Sequence, residues 1–135
     1  MSSTVHHIGD RLATAGVGST TTGAVTIFTE RLLKEPDNCL CVRDIGGPEP
    51  IRAMGGVSSA PVMIRPSVQV IVRNATQDGL NTAVEAVITA LDWWSGTLSA
   101  KRYALIRLSY EPVYMGMDEN NRHQKSLVFD IWRER

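Results

Sequence analysis

Between residues 66 and 94 the hydrophobic period of the chain changes once, and that change constrains the fold more than any other feature. PSVQVIVRN (66–74) alternates, with Val68, Val70 and Val72 on one face and Gln69, Ile71 and Arg73 on the other. This is the two-residue repeat of a strand, and Ile71 shows that its second face is not fully wet. The next segment repeats by threes and fours through Leu80, Ala83, Val84, Val87, Ile88 and Leu91. That spacing predicts an amphipathic helix from about Asp78 to Trp94, capped by Thr76 or Asp78. Trp93 and Trp94 at its end cannot point the same way, so one is expected in the core and the other near the surface. A strand and a helix that each carry one apolar face bury them against each other in a layered domain.

The remaining patterns extend this layer. Val5, Ile8, Leu12 and Ala15 form one stripe of an N-terminal helix, which Gly16 or Gly18 could end. Gly9 in its middle weakens it by about 1 kcal/mol, so this helix relies on packing. His6 and His7 lie about 100° apart around the helix, poorly placed to chelate and read as surface residues. AVTIFT (24–29) and CLCVRDI (39–45) read as strands, interrupted by Pro36 and the turn pair Asp37-Asn38. KRYALIRLSYEP (101–112) predicts a strand with Ala104, Ile106, Leu108 and Tyr110 on one side. QKSLVFDIWR (124–133) places Leu127, Phe129 and Ile131 on one face, and Val128 and Trp132 opposite. The expected fold is therefore α+β: a mixed, mainly antiparallel sheet packed by two helices, in the order α-β-β-(long loop)-β-α-β-β. The chain, residues 1–135, is expected to form one domain, with a flexible loop at about 46–64, where six glycines and prolines gather between Gly46 and Ala60.

Charge and composition exclude several function classes. Fourteen basic and fourteen acidic residues cancel, so no global field draws nucleic acid or an anionic membrane. No apolar run approaches the roughly 20 residues of a membrane helix, and the N-terminal stretch lacks a signal-peptide pattern. Cys39 and Cys41, the only cysteines, stand about 6–7 Å apart on one strand face, too far for an easy disulfide. They read as two reduced thiols, at least one of them partly buried.

No constellation for chemistry stands out. Walker and dinucleotide-binding glycine motifs are missing, and Gly16-Val17-Gly18 follows a helix rather than preceding one. His6, His7 and His123 lie near the ends of the chain, with no nucleophile elbow to pair with. The densest polar cluster is DENNRH (118–123). Its side chains offer oxygens for a hard cation, but the alternating acids and central glycine of a calcium loop are not there. Between two strands it reads chiefly as a solvated hairpin turn. The sequence thus predicts no catalytic residues, no metal and no cofactor.

Three stretches occur in a telling order: EPDNCLCVRDIGGPEP (35–50), RPSVQVIVRN (65–74) and GMDENNRHQKSLVFDIW (116–132). Together they resemble the tail-terminator, or minor capsid (tail completion), proteins of long-tailed bacteriophages, over roughly residues 25–133. The resemblance implies a structural virion protein, assembled in the host cytoplasm and placed at the head–tail junction. It implies a homo-oligomer, a hexameric ring that caps the tail tube, stops its elongation and joins the head-completion or stopper protein of the neck. Double-stranded DNA would pass through the ring without specific contact, and no membrane is involved. On that reading Arg52, Met54, Met63 and Ile64 of the long loop would reach a neighbouring subunit or the tube protein. Asp118, Glu119, Asn121 and Arg122 would do so from the hairpin tip, and Arg122→Ala would weaken assembly more than folding. Lys101, Arg102 and Arg107 could line a DNA channel, as could Asp118 and Glu119. The alternatives are another neck protein, stopper or adaptor-like, or a small enzyme or ligand-binding domain.

Overall fold

The structure, a computed structural model, describes residues 4–18, 26–30, 37–47, 63–98 and 100–134. Among these, the chain runs α1 (Thr4–Thr14), β1 (Thr26–Thr29), β2 (Cys39–Asp44), β3 (Met63–Ile64), β4 (Ser67–Asn74), α2 (Gln77–Leu91), β5 (Trp94–Leu98), β6 (Lys101–Leu108), β7 (Val113–Met117) and β8 (His123–Glu134). The strands form one sheet in the order β1-β2-β4-β8-β6-β5, while β3 and β7 also pair with β8. β1 runs parallel to β2 and every other pairing is antiparallel, so the sheet is mixed and the fold is α+β.

Both helices cover one face of the sheet. α1 lies against β1 and β2, α2 lies against β4, β6 and β8, and the two helices touch each other. Strand alternation decides which side chains they meet: Leu40 and Val42, Val68, Val70 and Val72, and Leu127, Phe129 and Ile131 are all buried in this core. α1 adds Val5, Ile8 and Leu12, and α2 adds Leu80, Val84, Val87 and Leu91. Past the end of α1, Gly16 takes a left-handed φ of 81°. There the Gly16 N–H donates to Ala13 O and the Val17 N–H to Leu12 O, the paired bonds of a glycine C-cap. Arg11 then crosses to α2, donating to the Ala90 carbonyl and lying over the Trp94 ring at 4.8 Å.

The far face is also partly closed. Cys39, Cys41 and Ile71 are buried there. Beside them Ser67 Oγ donates to Asp130 Oδ1 at 2.9 Å and Gln69 Nε2 to Ser126 Oγ at 2.8 Å.

Several expectations are corrected. α2 stops at Leu91 rather than Trp94, because Trp93 takes a left-handed φ of 60° and its N–H donates to Ile106 O. Trp94 therefore opens a strand and packs on the core, while Trp93 is 70% exposed. On β6 Ile106 and Leu108 face the core as expected, but Tyr103 takes the place expected of Ala104, since a bulge shifts the register between Tyr103 and Leu105, and Tyr110 is exposed. His7 is buried, not superficial, with Nδ1 2.6 Å from the Tyr103 hydroxyl. The loop expected at 46–64 lies mostly outside the described residues, but its last two, Met63 and Ile64, form β3 and pair with Glu134 and Arg133 of β8.

Candidate functional site

The three stretches that the sequence sets apart meet at one end of the sheet. The register alone brings them close: Cys39 pairs with Arg73, Arg73 with Gln124, and Asn74 with His123. The residues just before β2, at the end of β4 and just before β8 thus form one polar junction.

Its centre is the hairpin turn between β7 and β8. Asp118 accepts the N–H groups of Asn120 and Arg122 on Oδ1, each at 2.9 Å, and Arg122 Nε on Oδ2 at 2.8 Å. The Asp118 N–H donates to Arg122 O, and the Asn121 N–H to Asp118 O, with Asn121 at a left-handed φ of 60°. This is the turn chemistry that Asp and Asn favour. Arg122 then reaches out of the turn, and its Nη1 lies 3.3 Å from Asp37 Oδ1. Arg73 Nε donates to the Asp37 carbonyl at 3.3 Å, and Asn38 Oδ1 accepts the Ala75 N–H at 3.1 Å.

Electrostatics follow from that geometry. Partial burial acts to raise the Asp118 pKa, but the hydrogen bonds from Arg122 and Asn120 outweigh it and hold the carboxyl below its usual 3.8. Burial likewise pulls on Arg122, and Asp118 followed by Asp37 outweighs it, so the guanidinium stays charged. Asp118 has both oxygens committed to donors within its own turn, which suits a structural carboxylate rather than an acid, base or metal ligand. Among the described residues no three of His, Cys, Asp and Glu stand together as metal ligands would. The thiols offer little nucleophilicity: burial raises both, Cys41 to about 11.

The expected site residues fall in separate places. Asp118 and Arg122 are joined, while Glu119 and Asn121 lie exposed at the same tip. Arg122 has a side chain only 5% exposed, so it belongs to the chain's own frame. Its replacement is therefore expected to damage folding first, contrary to the assembly effect inferred from sequence. Met63 and Ile64 sit at the other end of β8, and that strand of 12 residues is about 40 Å long. Arg52 and Met54 lie outside the described residues. The base of their loop is held, since the Ile45 N–H donates to Ser67 O at 3.1 Å and the Ser67 N–H to Gly46 O at 2.5 Å. Gly47 passes so close to the Arg65 carbonyl that no side chain fits there.

The sequence reading missed two parts of this region. Asp37 acts as the partner of Arg122 across 85 positions of chain, a link that no local pattern reveals. β7 was also missed, although VYMGM is apolar and carries four exposed large side chains, Val113, Tyr114, Met115 and Met117.

A family model for bacteriophage tail terminator proteins matches residues 11–134, a span that contains all three stretches and the junction they build. The chain belongs to that family. Tail terminators are structural tail proteins. A chain in the solved virion of a native gene transfer agent particle has the same fold, with a TM-score of 0.60 and 17% identity over 95% of this chain and 92% of that one. No curated protein matches the sequence.

Proposed function

We propose that this tail terminator assembles into a hexameric ring that caps the finished tail tube. The ring stops tube elongation and presents a surface to the head-completion protein of the neck, while DNA passes through its centre. The family match over nearly the whole chain carries this reading. The fold shared with a chain of a gene transfer agent virion supports a place in the virion. The arrangement of the polar junction supports it too, because its charged groups are spent on holding the hairpin against β2 and β4. Of the cations that could face DNA, Lys101, Arg102 and Arg107 all lie on β6 and are exposed.

The test is reconstitution with purified tube protein. Added chain is expected to arrest polymerisation and to appear by electron microscopy as a ring at one tube end. Binding to the head-side portal complex, with tube growth unchanged, would instead identify a stopper or adaptor-like neck protein.

A further inference from the structure

We propose that β7 is a docking edge for β1 of a second copy of this chain, so that neighbouring subunits continue one sheet. This deepens the ring reading and rests on it. The first observation is where apolar surface is left uncovered. Of the seven large hydrophobic side chains exposed among the described residues, Tyr110, Val113, Tyr114, Met115 and Met117 fall within eight positions, each 45–52% exposed. Side chains of this size, half exposed, leave an apolar strip on the order of 400 Å², about half of what one partner contributes to a standard interface. The strip is also a sheet edge, since among the described strands β7 pairs with β8 alone. β7 is irregular at Gly116, where its register with β8 shifts, but an exposed apolar edge still templates another strand unless something covers it. Tyr114 is fixed in place by the 2.8 Å contact of its hydroxyl with His123 Nδ1.

The second observation is that the same row of the sheet has another open edge. Thr26 of β1 pairs with Cys39, Cys39 with Arg73, Arg73 with Gln124, and Gln124 with Gly116 of β7. At this level the sheet reads β1-β2-β4-β8-β7, and among the described strands β1 pairs with β2 alone. The strand directions fit as well. β7 and β4 run one way, and β8, β2 and β1 the other, so a copy set alongside in the same orientation meets β7 with an antiparallel β1. β1 spans four residues and β7 five, so the two edges match in length.

The charges flanking β7 select this joint over a two-fold one. An antiparallel pairing of β7 with its own copy, centred on Met115 so that 113–117 overlap fully, brings Glu111 toward the partner's hairpin tip, which carries Asp118 and Glu119, at both ends. Like charges brought together in this way are destabilising. The head-to-tail joint avoids this, and repeated around an axis it closes a ring.

Two sets of variants test the joint on the full chain with tube protein present. Met115→Lys and Met117→Lys change exposed side chains, so the melting temperature is expected to stay within a few degrees while ring formation at tube ends falls at least tenfold. Thr29→Cys with Met115→Cys, treated with a short bis-maleimide, is expected to give a ladder of covalent multimers up to the ring. Either single variant should stop at dimers. Rings that form unchanged in the lysine variants, with no ladder in the double cysteine variant, would overturn the joint and leave the capping ring standing. A cross-link from Met115→Cys to the tube protein would assign the edge to a different partner and overturn it too. A native chain that stays monomeric on tubes would remove the ring reading and this joint with it.

Discussion

Gly9 and Gly79 are both helical, yet the space around them is opposite. A Cβ at Gly9 would meet Thr29 Cγ2 at 3.6 Å and Ile27 Cγ2 at 3.7 Å, ordinary contact distances. Gly9→Ala is therefore expected to stabilise the protein by up to about 1 kcal/mol, through helix propensity and a less flexible unfolded chain. A Cβ at Gly79 would collide with the Asn74 carboxamide and lie 2.8 Å from Thr76 Oγ1, so Gly79→Ala should lower the melting temperature. A urea titration of the two variants checks both signs. His7 carries a second prediction. Burial, followed by repulsion from Arg133, lowers its pKa below the ordinary 6.5, and among the described residues its Nε2 has no hydrogen-bond partner. Arg133, His6 and Lys101 oppose its protonation and Asp10 favours it. The folded state therefore prefers neutral imidazole. That contribution is complete above pH 6.5 and is lost as pH falls from there toward the folded pKa, with a slope of at most about 1.4 kcal/mol per pH unit. Stability measured across this window should fall less steeply in His7→Gln; an unchanged slope would point to another group. For Arg122→Ala, loss of a buried guanidinium tied to Asp118 and to the exposed Asp37 predicts a fall of several degrees in melting temperature. Assembly should fall only in proportion to the unfolded fraction, and the two can be compared in one preparation by calorimetry and mass measurement.

α2 shows how an element is held at both ends by groups outside it. Its N-cap Thr76 is extended, with φ −121° and ψ 152°, and its hydroxyl accepts the Gly79 N–H at 3.1 Å. Thr76→Ala is expected to cost about 1 kcal/mol and Thr76→Ser little, as read from urea midpoints. Equal losses in both would place the effect in the γ-methyl group. The helix and β4 could be read from sequence because each has a long run with a single period. β5 and β7 could not. WSGTL looks like a turn because Ser and Gly favour turns, and only its pairing with β6 makes it a strand. VYMGM has no alternation, since an edge strand open on both faces has no polar side to display. On β6 the bulge between Tyr103 and Leu105 turns Tyr103 inward in place of Ala104, so the inferred phase failed before it and held at Ile106 and Leu108. The turn Asp118–Arg122 was legible because its hydrogen bonds are local. Its tie to Asp37 was not, because it depends on the sheet order.

Across the whole molecule, the sheet divides two environments: helices and an aliphatic core on one side, and a partly closed polar face on the other. Opposite charges balance overall, so the chain as a whole carries no net field that would draw nucleic acid at physiological salt. The placement of the two thiols on the second face has a practical consequence. Cys39 and Cys41 sit on β2, between β1 and β4, both fully buried and both free. They are therefore a built-in covalent clock for opening of the sheet. An excess of alkylating reagent is expected to modify both thiols in the same event, so intact-mass spectra should pass from unlabelled to doubly labelled protein at the unfolding rate. Singly labelled protein that accumulates first would mean that the β1 edge peels away on its own. If neighbouring subunits do seal that edge, capture on a tube end should slow the clock.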